Sequence, residues 1–304
     1  MLPFLTYFLE WRSPMSFFDL IYQFMDNFSF LILSAVGLAI IFGMMGIINL
    51  AHGEFIMLGA YISTIATKAG VPLPASILLS TLGVGIYGLV IDRLIINRLY
   101  GRTLDSVVAT WGISMVMSQG MLRLFGPSLE GVSTPLGSVS FAGGTYSVYR
   151  IILFVLAVIV LIALYWFFMH TKFGLRSRAT MQNNEIARSL GVNTNKVYSL
   201  TFMIGAAFAG LTGGLYAPTM AVSPTFGTGF LMPSFVTVIV GGANPLIGTF
   251  FSGGVLGVVN SILDAIWGTF YGRLGLLLVA IVVIRLLPFG ISGLVEKKLM
   301  RGRV

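Results

Sequence analysis

The chain has 304 residues, of which 57% are hydrophobic and only 9% charged, with no cysteine and a formal net charge of +8. Soluble domains carry about a quarter charged residues, so this composition excludes an ordinary soluble fold, and the missing cysteines exclude disulfide frameworks and thiolate metal sites. The positive balance does not mark a nucleic-acid partner, because the cations sit in short segments between apolar runs, where they act as topological anchors.

From the N-terminus, acids at Glu10, Asp19 and Asp26 outnumber Arg12 before the first apolar run, so no signal-peptide pattern is expected. Residues 1–27 read as an external or interfacial segment: Trp11, Phe17, Phe18, Leu20 and Ile21 are apolar but broken by Pro14 and acids. Apolar runs then cover Phe28–Ile48, Leu50–Thr67, Ala75–Ile96, Leu104–Phe125, Arg150–Met169, Ser199–Ala217, Gly229–Gly241, Leu246–Trp267 and Phe270–Leu287. The Gly229 run is short and reads as a half-helix. The prediction is an all-α polytopic membrane protein of eight to ten membrane or re-entrant helices, one domain over 1–304, with no separate soluble part.

Thirteen of the eighteen basic residues fall on one side by alternation: Arg93, Arg98, Arg102, five cations of the 172–196 segment, Arg285, Lys297, Lys298, Arg301 and Arg303. The positive-inside bias then places the N-terminus outside and the C-terminus inside. The parity survives if 28–67 or 229–267 are re-entrant pairs.

Two interruptions put Asn and Gly at membrane depth: Gly46 to Glu54, and Gly241-Gly242-Ala243-Asn244-Pro245 to Gly248. Non-helical backbone inside a bilayer survives only where protein or a water-filled cavity satisfies it, so these breaks mark the candidate pathway. Asn49, His52, Gly53, Glu54, Gly241, Gly242 and Asn244 are its candidate lining. His52 and Glu54 have two readings: pathway or gate, or caps of the following helix in contact with water. Asp264 reads as structural or headgroup-facing, and Trp111, Trp166 and Trp267 as interfacial aromatics. The rows Gly205-Ala209-Gly213 and Gly253-Gly257 read as helix-packing faces.

The polar stretch 170–198 reads as a cytoplasmic segment with a short helix at its centre. Asn183 or Asn184 can cap that helix, Glu185 suits its first turn, Gly191 stops it, and Asn193 or Thr194 can cap the next. Ile186, Leu190 and Val192 give it an apolar face suited to docking a soluble partner. No phosphate-binding Gly-rich loop with Lys is present, nor His-Glu-x-x-His, nor a Gly-x-Ser-x-Gly elbow, so enzyme readings gain no support.

Residues 37–43, then Asn49-Leu50-Ala51-His52-Gly53-Glu54-Phe55 and Leu58-Gly59-Ala60-Tyr61, resemble the signature of the branched-chain amino acid ABC importer permeases. Gly174-Leu175-Arg176-Ser177-Arg178-Ala179, Asn184-Glu185-Ile186-Ala187, Leu190-Gly191-Val192 and Leu200 to Gly210 match the same family. The resemblance covers about 30–290. It implies one of two permease subunits, as a heterodimer, with two cytoplasmic ATPase subunits, an external solute-binding protein and a location in the bacterial inner membrane. It implies no cofactor on this chain, since ATP-Mg belongs to the ATPases. Glu185, Ala187 and Gly191 resemble the family's ATPase-coupling motif, and Asn184, Arg188 and Leu190 complete the candidate coupling set. Within the family, 104–114 and Phe125-Gly126-Pro127 look closer to the urea and short-chain amide permeases. Urea or an amide is therefore the favoured solute, with a branched-chain or hydrophobic amino acid close behind. The alternative is a passive aquaporin-like or urea channel, because Asn49-Leu50-Ala51 and Asn244-Pro245-Leu246 resemble paired Asn-Pro-Ala half-helices.

Overall fold

The computed structural model describes residues 17–141, 144–242, 244–287 and 290–293. Trp11, Pro14, Ala243, Lys297, Lys298, Arg301 and Arg303, on which some expectations rest, lie outside them. The described chain is a helical bundle. Its helices are α1 (Phe17–Met45), α2 (His52–Lys68), α3 (Leu73–Leu94), α4 (Thr103–Phe125), α5 (Val148–His170), α6 (Lys172–Gln182), α7 (Asn184–Ser189), α8 (Thr194–Tyr216), α9 (Thr228–Gly241), α10 (Pro245–Trp267) and α11 (Thr269–Leu286). Among the described residues six of these, α1, α3, α5, α8, α10 and α11, are long and apolar enough to cross a membrane. A short 3₁₀ turn, Ile96–Leu99, follows α3. A two-stranded hairpin, β1 (Ser138–Phe141) and β2 (Gly144–Ser147), precedes α5, with Ser138 opposite Ser147. It is the one addition to the all-α expectation.

The centre is α1, whose fully buried stretch includes Leu31, Ile32, Leu33, Leu38, Ile40 and Ile41. Its start differs from the sequence reading, in which residues before 28 formed a separate interfacial piece. From Phe17 onward the helix is unbroken, because its polar residues find partners at the hairpin end of the bundle. The Tyr146 hydroxyl donates to Asp19 Oδ1 (2.7 Å), Arg150 pairs with Asp26, and Asn27 Nδ2 donates to Ser261 Oγ (2.9 Å).

The second axis is α8, which packs on α1, α2 and α3 through the small residues expected of it. A Cβ on Gly59 would stand 2.5 Å from the Gly210 carbonyl oxygen, and one on Gly213 would run into the backbone of Ile56 and Ala60. With no hydrophobic drive between helices in lipid, such close backbone approach supplies the association. On α10, Gly253 makes room for the Ile32 side chain of α1, and Gly257 lies in ordinary contact with Phe24 and Phe28. Outward faces are apolar and exposed, as at Leu104, Val108, Ile162, Leu278 and Ile281, and Trp111, Trp166 and Trp267 lie on that surface.

Candidate functional site

At the first interruption, α1 ends where Gly46 adopts a left-handed φ of 66°. The chain then turns back into the bundle. His52 Nε2 lies 2.9 Å from the carbonyl oxygen of Ser34, eleven residues before the end of α1, and Ser234 Oγ of α9 donates to the same oxygen at 2.9 Å. At about 1.5 Å per residue, Ser34 is roughly 16 Å along the helix axis from Met45. The α2 N-terminus is therefore inside the protein. Asn49 and His52 are fully buried and Glu54 nearly so. The lead-in is held locally: Asn49 Oδ1 accepts from Ala51 N–H (3.1 Å), and Thr110 Oγ1 of α4 accepts from Leu50 N–H (3.1 Å). Ser114 of α4 lies beside the Glu54 carboxylate. Ala51, at the cap position of α2, offers no side-chain bond, and the Glu54 carboxylate in the first turn accepts from its own backbone N–H.

Several polar atoms along this path have no hydrogen-bond partner among the described residues: Asn49 Nδ2, His52 Nδ1, Glu54 Oε2, and the hydroxyls of Tyr61, Ser63 and Thr64. Buried groups of this kind normally find partners. At 3.6 residues per turn they are not one stripe: His52 and Ser63 share one side of α2, Glu54 and Tyr61 the opposite side, and Asn49 precedes the helix. Gly53 closes one side by touching the backbone of Gly227, just before α9; a Cβ on Gly53 would meet the Gly227 carbonyl oxygen at 2.5 Å.

The second interruption lies elsewhere. Gly227 and Gly242 bracket the 14 residues of α9, about 21 Å of helix. The Gly53 contact is at one end of α9 and the Asn244 turn at the other. The structure does not bring the two breaks together. Gly242 takes φ 85°, and Asn244 Oδ1 caps α10 by accepting from Ile247 N–H at 3.3 Å. Asn244 N–H donates to Ser292 Oγ (3.0 Å), and Gly241 packs against Gly248, a Cβ on it meeting the Gly248 carbonyl carbon at 2.7 Å. The shortness predicted for the Gly229 run is the length of α9.

At the bundle end opposite the hairpin, α6 and α7 connect α5 to α8 and pack against each other. Thr171 Oγ1 caps α6 by accepting from Gly174 N–H (3.1 Å), and Gly174, Ser177 and Thr180 bury its inner face. Asn183, one of the two expected caps, starts α7 by accepting from Ile186 N–H at 3.0 Å. Its exit is a Schellman turn: Val192 N–H bonds Ala187 O (3.0 Å), Gly191 N–H bonds Arg188 O (2.9 Å), and Gly191 takes φ 83°. Ala187 is buried under the helix. Arg188 folds back to α8, donating to Thr194 Oγ1 (2.8 Å) and Asn195 Oδ1 (3.3 Å). Asn184 Nδ2 donates to the Tyr198 hydroxyl (3.3 Å), Tyr198 packs on Tyr100, and the Tyr100 hydroxyl donates to Asp92 Oδ1 of α3 at 2.6 Å. Burial and the Asp92 carboxylate raise the Tyr100 phenol well above its ordinary value, so it keeps its proton as donor. Glu185, Ile186 and Leu190 point away from the bundle, with Leu190 78% exposed.

Three things escaped the sequence reading. One is α6, signalled by the small, spaced Gly174, Ser177 and Thr180. Another is the role of Ser34 and Ser234, ordinary serines until α1, α2 and α9 meet. The third is a cavity at the hairpin end that takes in Asp264, whose carboxylate accepts from Asn27 of α1, as the structural one of its two readings expects.

Comparison with known proteins agrees with this architecture. The family model described as branched-chain amino acid transport system / permease component matches residues 20–287. The chain is 28% identical over 278 residues to the high-affinity branched-chain amino acid transport system permease protein LivH of Salmonella typhimurium, covering 86% of this chain and 90% of the relative. It is likewise 28% identical to BraD of Pseudomonas aeruginosa, a permease protein of the same description, over 86% of this chain and 91% of the relative. A probable branched-chain amino acid transport permease protein LivH of Methanocaldococcus jannaschii is 28% identical over 89% of this chain and 91% of its own length. No solved structure matches significantly. With nearly its whole helical bundle inside the match, the chain belongs to the branched-chain amino acid transport system permease family and is an integral membrane protein of that kind.

Proposed function

We propose that this chain is one of two permease subunits of an ATP-driven importer in the bacterial inner membrane, its partner being a different permease. The hairpin end faces outside, toward a solute-binding protein, and α6–α7 face the cytoplasm, where two ATPase subunits dock. The observation that carries this reading is α7: a six-residue helix capped at both ends, pinned to α8 and α3, with Glu185, Ile186 and Leu190 turned outward. An exposed apolar face on a rigidly held helix is what a docking partner requires, and pinning lets it pass a rigid-body movement to the spans. The clustering of Arg93, Arg98, Arg102 and the α6–α7 cations at that end agrees with the orientation.

The solute we assign is a branched-chain or other hydrophobic amino acid, the class named for the relatives above. Urea and short-chain amides, favoured by 104–114 alone, are the competing labels. The pathway runs along α2, past Asn49, His52, Gly53 and Glu54, where polar atoms stand without partners among the described residues. Gly241, Gly242 and Asn244 shape a turn at the far end of α9.

The test is uptake of labelled leucine and labelled urea into vesicles, with ATPase and binding-protein partners added or withheld. Expected is leucine uptake that requires both partners and ATP, reduced at least tenfold by Glu185→Arg with the permease still folded. Asn49→Leu is expected to slow uptake without loss of assembly. Flux down a gradient through this chain alone would overturn the importer.

A further inference from the structure

Among the described residues α4 is the one helix of 18 residues or more that is not apolar enough to cross lipid by composition. Its 23 residues reach about 35 Å, a full span, but serines, threonines, Gln119, Asp105 and Arg123 break the apolar runs. In the rest of the bundle polarity is matched by burial. The least apolar of the six spans, α8, is 56% buried over its most apolar stretch. Away from their ends, α3, α5 and α10 turn only apolar and aromatic residues fully outward.

The outward side of α4 breaks that pattern. Ser106, Thr110, Ile113, Met117 and Met121 are its buried stripe. Gly112, Ser118 and Gly120 are exposed, set among Val108, Met115 and Val116. A Cβ on Gly112 or Gly120 would meet nothing within 4 Å. By contrast Gly37, Gly59 and Gly213 each stand where the backbone of a neighbouring helix leaves a Cβ no room. Gly254 of α10 also has open space, but it stands alone and half-buried. A glycine inside a helix costs about 0.8–1 kcal/mol against alanine, and nothing within this chain calls for one at 112 or 120.

Val108, Gly112, Val116 and Gly120 follow one another at four-residue spacing, the spacing of a ridge on a helix surface. The two glycines open gaps in that ridge through which a second helix can approach closely, the contact that drives association in lipid. The face is also large enough. At ~150–250 Å² for a whole large side chain, its exposed large apolar residues from Leu104 to Phe125 present on the order of 800–900 Å², about one partner's share of a standard interface.

We propose that the second permease subunit packs on the outward face of α4, with one of its helices lying across Gly112 and Gly120. The inference rests on the two-permease reading above. On its other side α4 holds the start of α2, through Thr110 at Leu50 and Ser114 at Glu54. A movement of the partner therefore reaches that turn through a single helix.

The chain has no cysteine, so an introduced thiol carries a unique probe. A nitroxide is attached at Val116→Cys, or at Ile159→Cys on the outward face of α5, in a transporter whose other subunits lack cysteine. Contact with dissolved oxygen is measured in lipid nanodiscs holding the partner permease and ATPase subunits. Several-fold lower oxygen contact is expected at the α4 position than at the α5 position. Gly112→Leu is expected to cut recovery of the second permease at least fivefold, although the added side chain meets nothing within its own subunit. Ile159→Trp, which adds bulk to α5, is expected to assemble as the parent does. Equal oxygen contact at the two positions with the second permease present would mean that lipid covers α4. That result, or full recovery of the second permease with Gly112→Leu, would overturn the face and leave the two-permease reading standing. A parent transporter that holds ATPase subunits but no second permease would overturn both. Spin–spin broadening between two Val116→Cys labels would put a second copy of this chain on the face and overturn the assignment to a different permease.

Discussion

The two ends of this molecule are built on opposite principles. At the α7 end the helix itself is written by neighbouring residues, Asn183 accepting from an N–H three residues on and Gly191 donating to a carbonyl three residues back, and only its anchorage through Tyr198 and Tyr100 to Asp92 is long-range. At the hairpin end the polar wall of the cavity is assembled from Asp26, Asn27, Arg150, Asn260, Asp264 and Arg273, residues up to about 250 positions apart. A locally written element can move as a unit while keeping its shape. A cavity written across six helices changes shape when any of them moves. That difference suits a driven device at one end and a deformable cavity at the other.

The sharpest way to break the comparison is at the middle, where both ends depend on α8. Gly213→Leu drives a side chain into the backbone of Ile56 and Ala60, which cannot yield as a flexible side chain would. Overpacking a well-packed interior costs about 1–3 kcal/mol even where side chains can adjust. Here the expected outcome is loss of folded subunit, read as disappearance of the monodisperse peak in size-exclusion chromatography. A folded, active Gly213→Leu subunit would mean that α2 and α8 are not in direct contact in the working protein.

The same contrast decides what could be read from the chain. The apolar runs and the small-residue rows at 205–213 and 253–257 carry their own periodicity, so the spans and their packing faces were legible. The caps of α7 were legible for the same reason, being set by adjacent residue types. The start of α1 was not: Asp19 and Asp26 look like helix breakers until Tyr146 and Arg150, more than a hundred residues on, supply their partners. Nor was the separation of the two Asn breaks, because a shared residue type says nothing of which end of α9 each occupies. Asp264 taken alone resembles a surface carboxylate. Only the fold sets it beside Asn260, Gly272 and Arg273.

A second, smaller effect probes the link from α7 into the bundle. Tyr100→Phe removes the hydroxyl that reaches Asp92 Oδ1 and leaves Ser199 as the remaining side-chain donor beside that carboxylate. Loss of one hydrogen bond to a charged group costs roughly 1.5–3 kcal/mol at most, less where a second donor stays in place. Lower thermal stability and a several-fold loss of ATP-coupled uptake are expected, with assembly of the transporter retained. Loss of assembly in step with uptake would show that the two regions are not separable.

Smaller again is Gly191→Val, which forces a β-branched residue into a left-handed turn at about 1–2 kcal/mol. Coupled uptake is expected to fall several-fold, and Gly191→Asn to recover much of it, because Asn tolerates that conformation. If Val and Asn behave alike, the turn is not held as a Schellman exit when the ATPase subunits are bound.

The smallest effect is expected at the hairpin end, in the loop between α4 and the hairpin. Lys68 Nζ meets Glu130 Oε2 at 3.0 Å, and the hydrogen bond with Lys68, joined by its charge, holds the Glu130 carboxyl below its ordinary range. A depressed carboxylate contributes its stability above its unfolded value and loses it as pH falls through the lower folded value. Glu130 is fully exposed, so solvent screens the pair and little is at stake. Glu130→Gln is expected to melt with the parent at neutral pH, and neither protein is expected to show a transition attributable to this pair on mild acidification. The loop has a stronger tie in the backbone bond from Leu129 N–H to Val222 O (2.8 Å), which no titration removes. A measurable drop in Glu130→Gln would place the ion pair ahead of that bond. The rim of the cavity end would then be held by surface charge, and the parent's melting temperature would fall with added salt while that of Glu130→Gln would not.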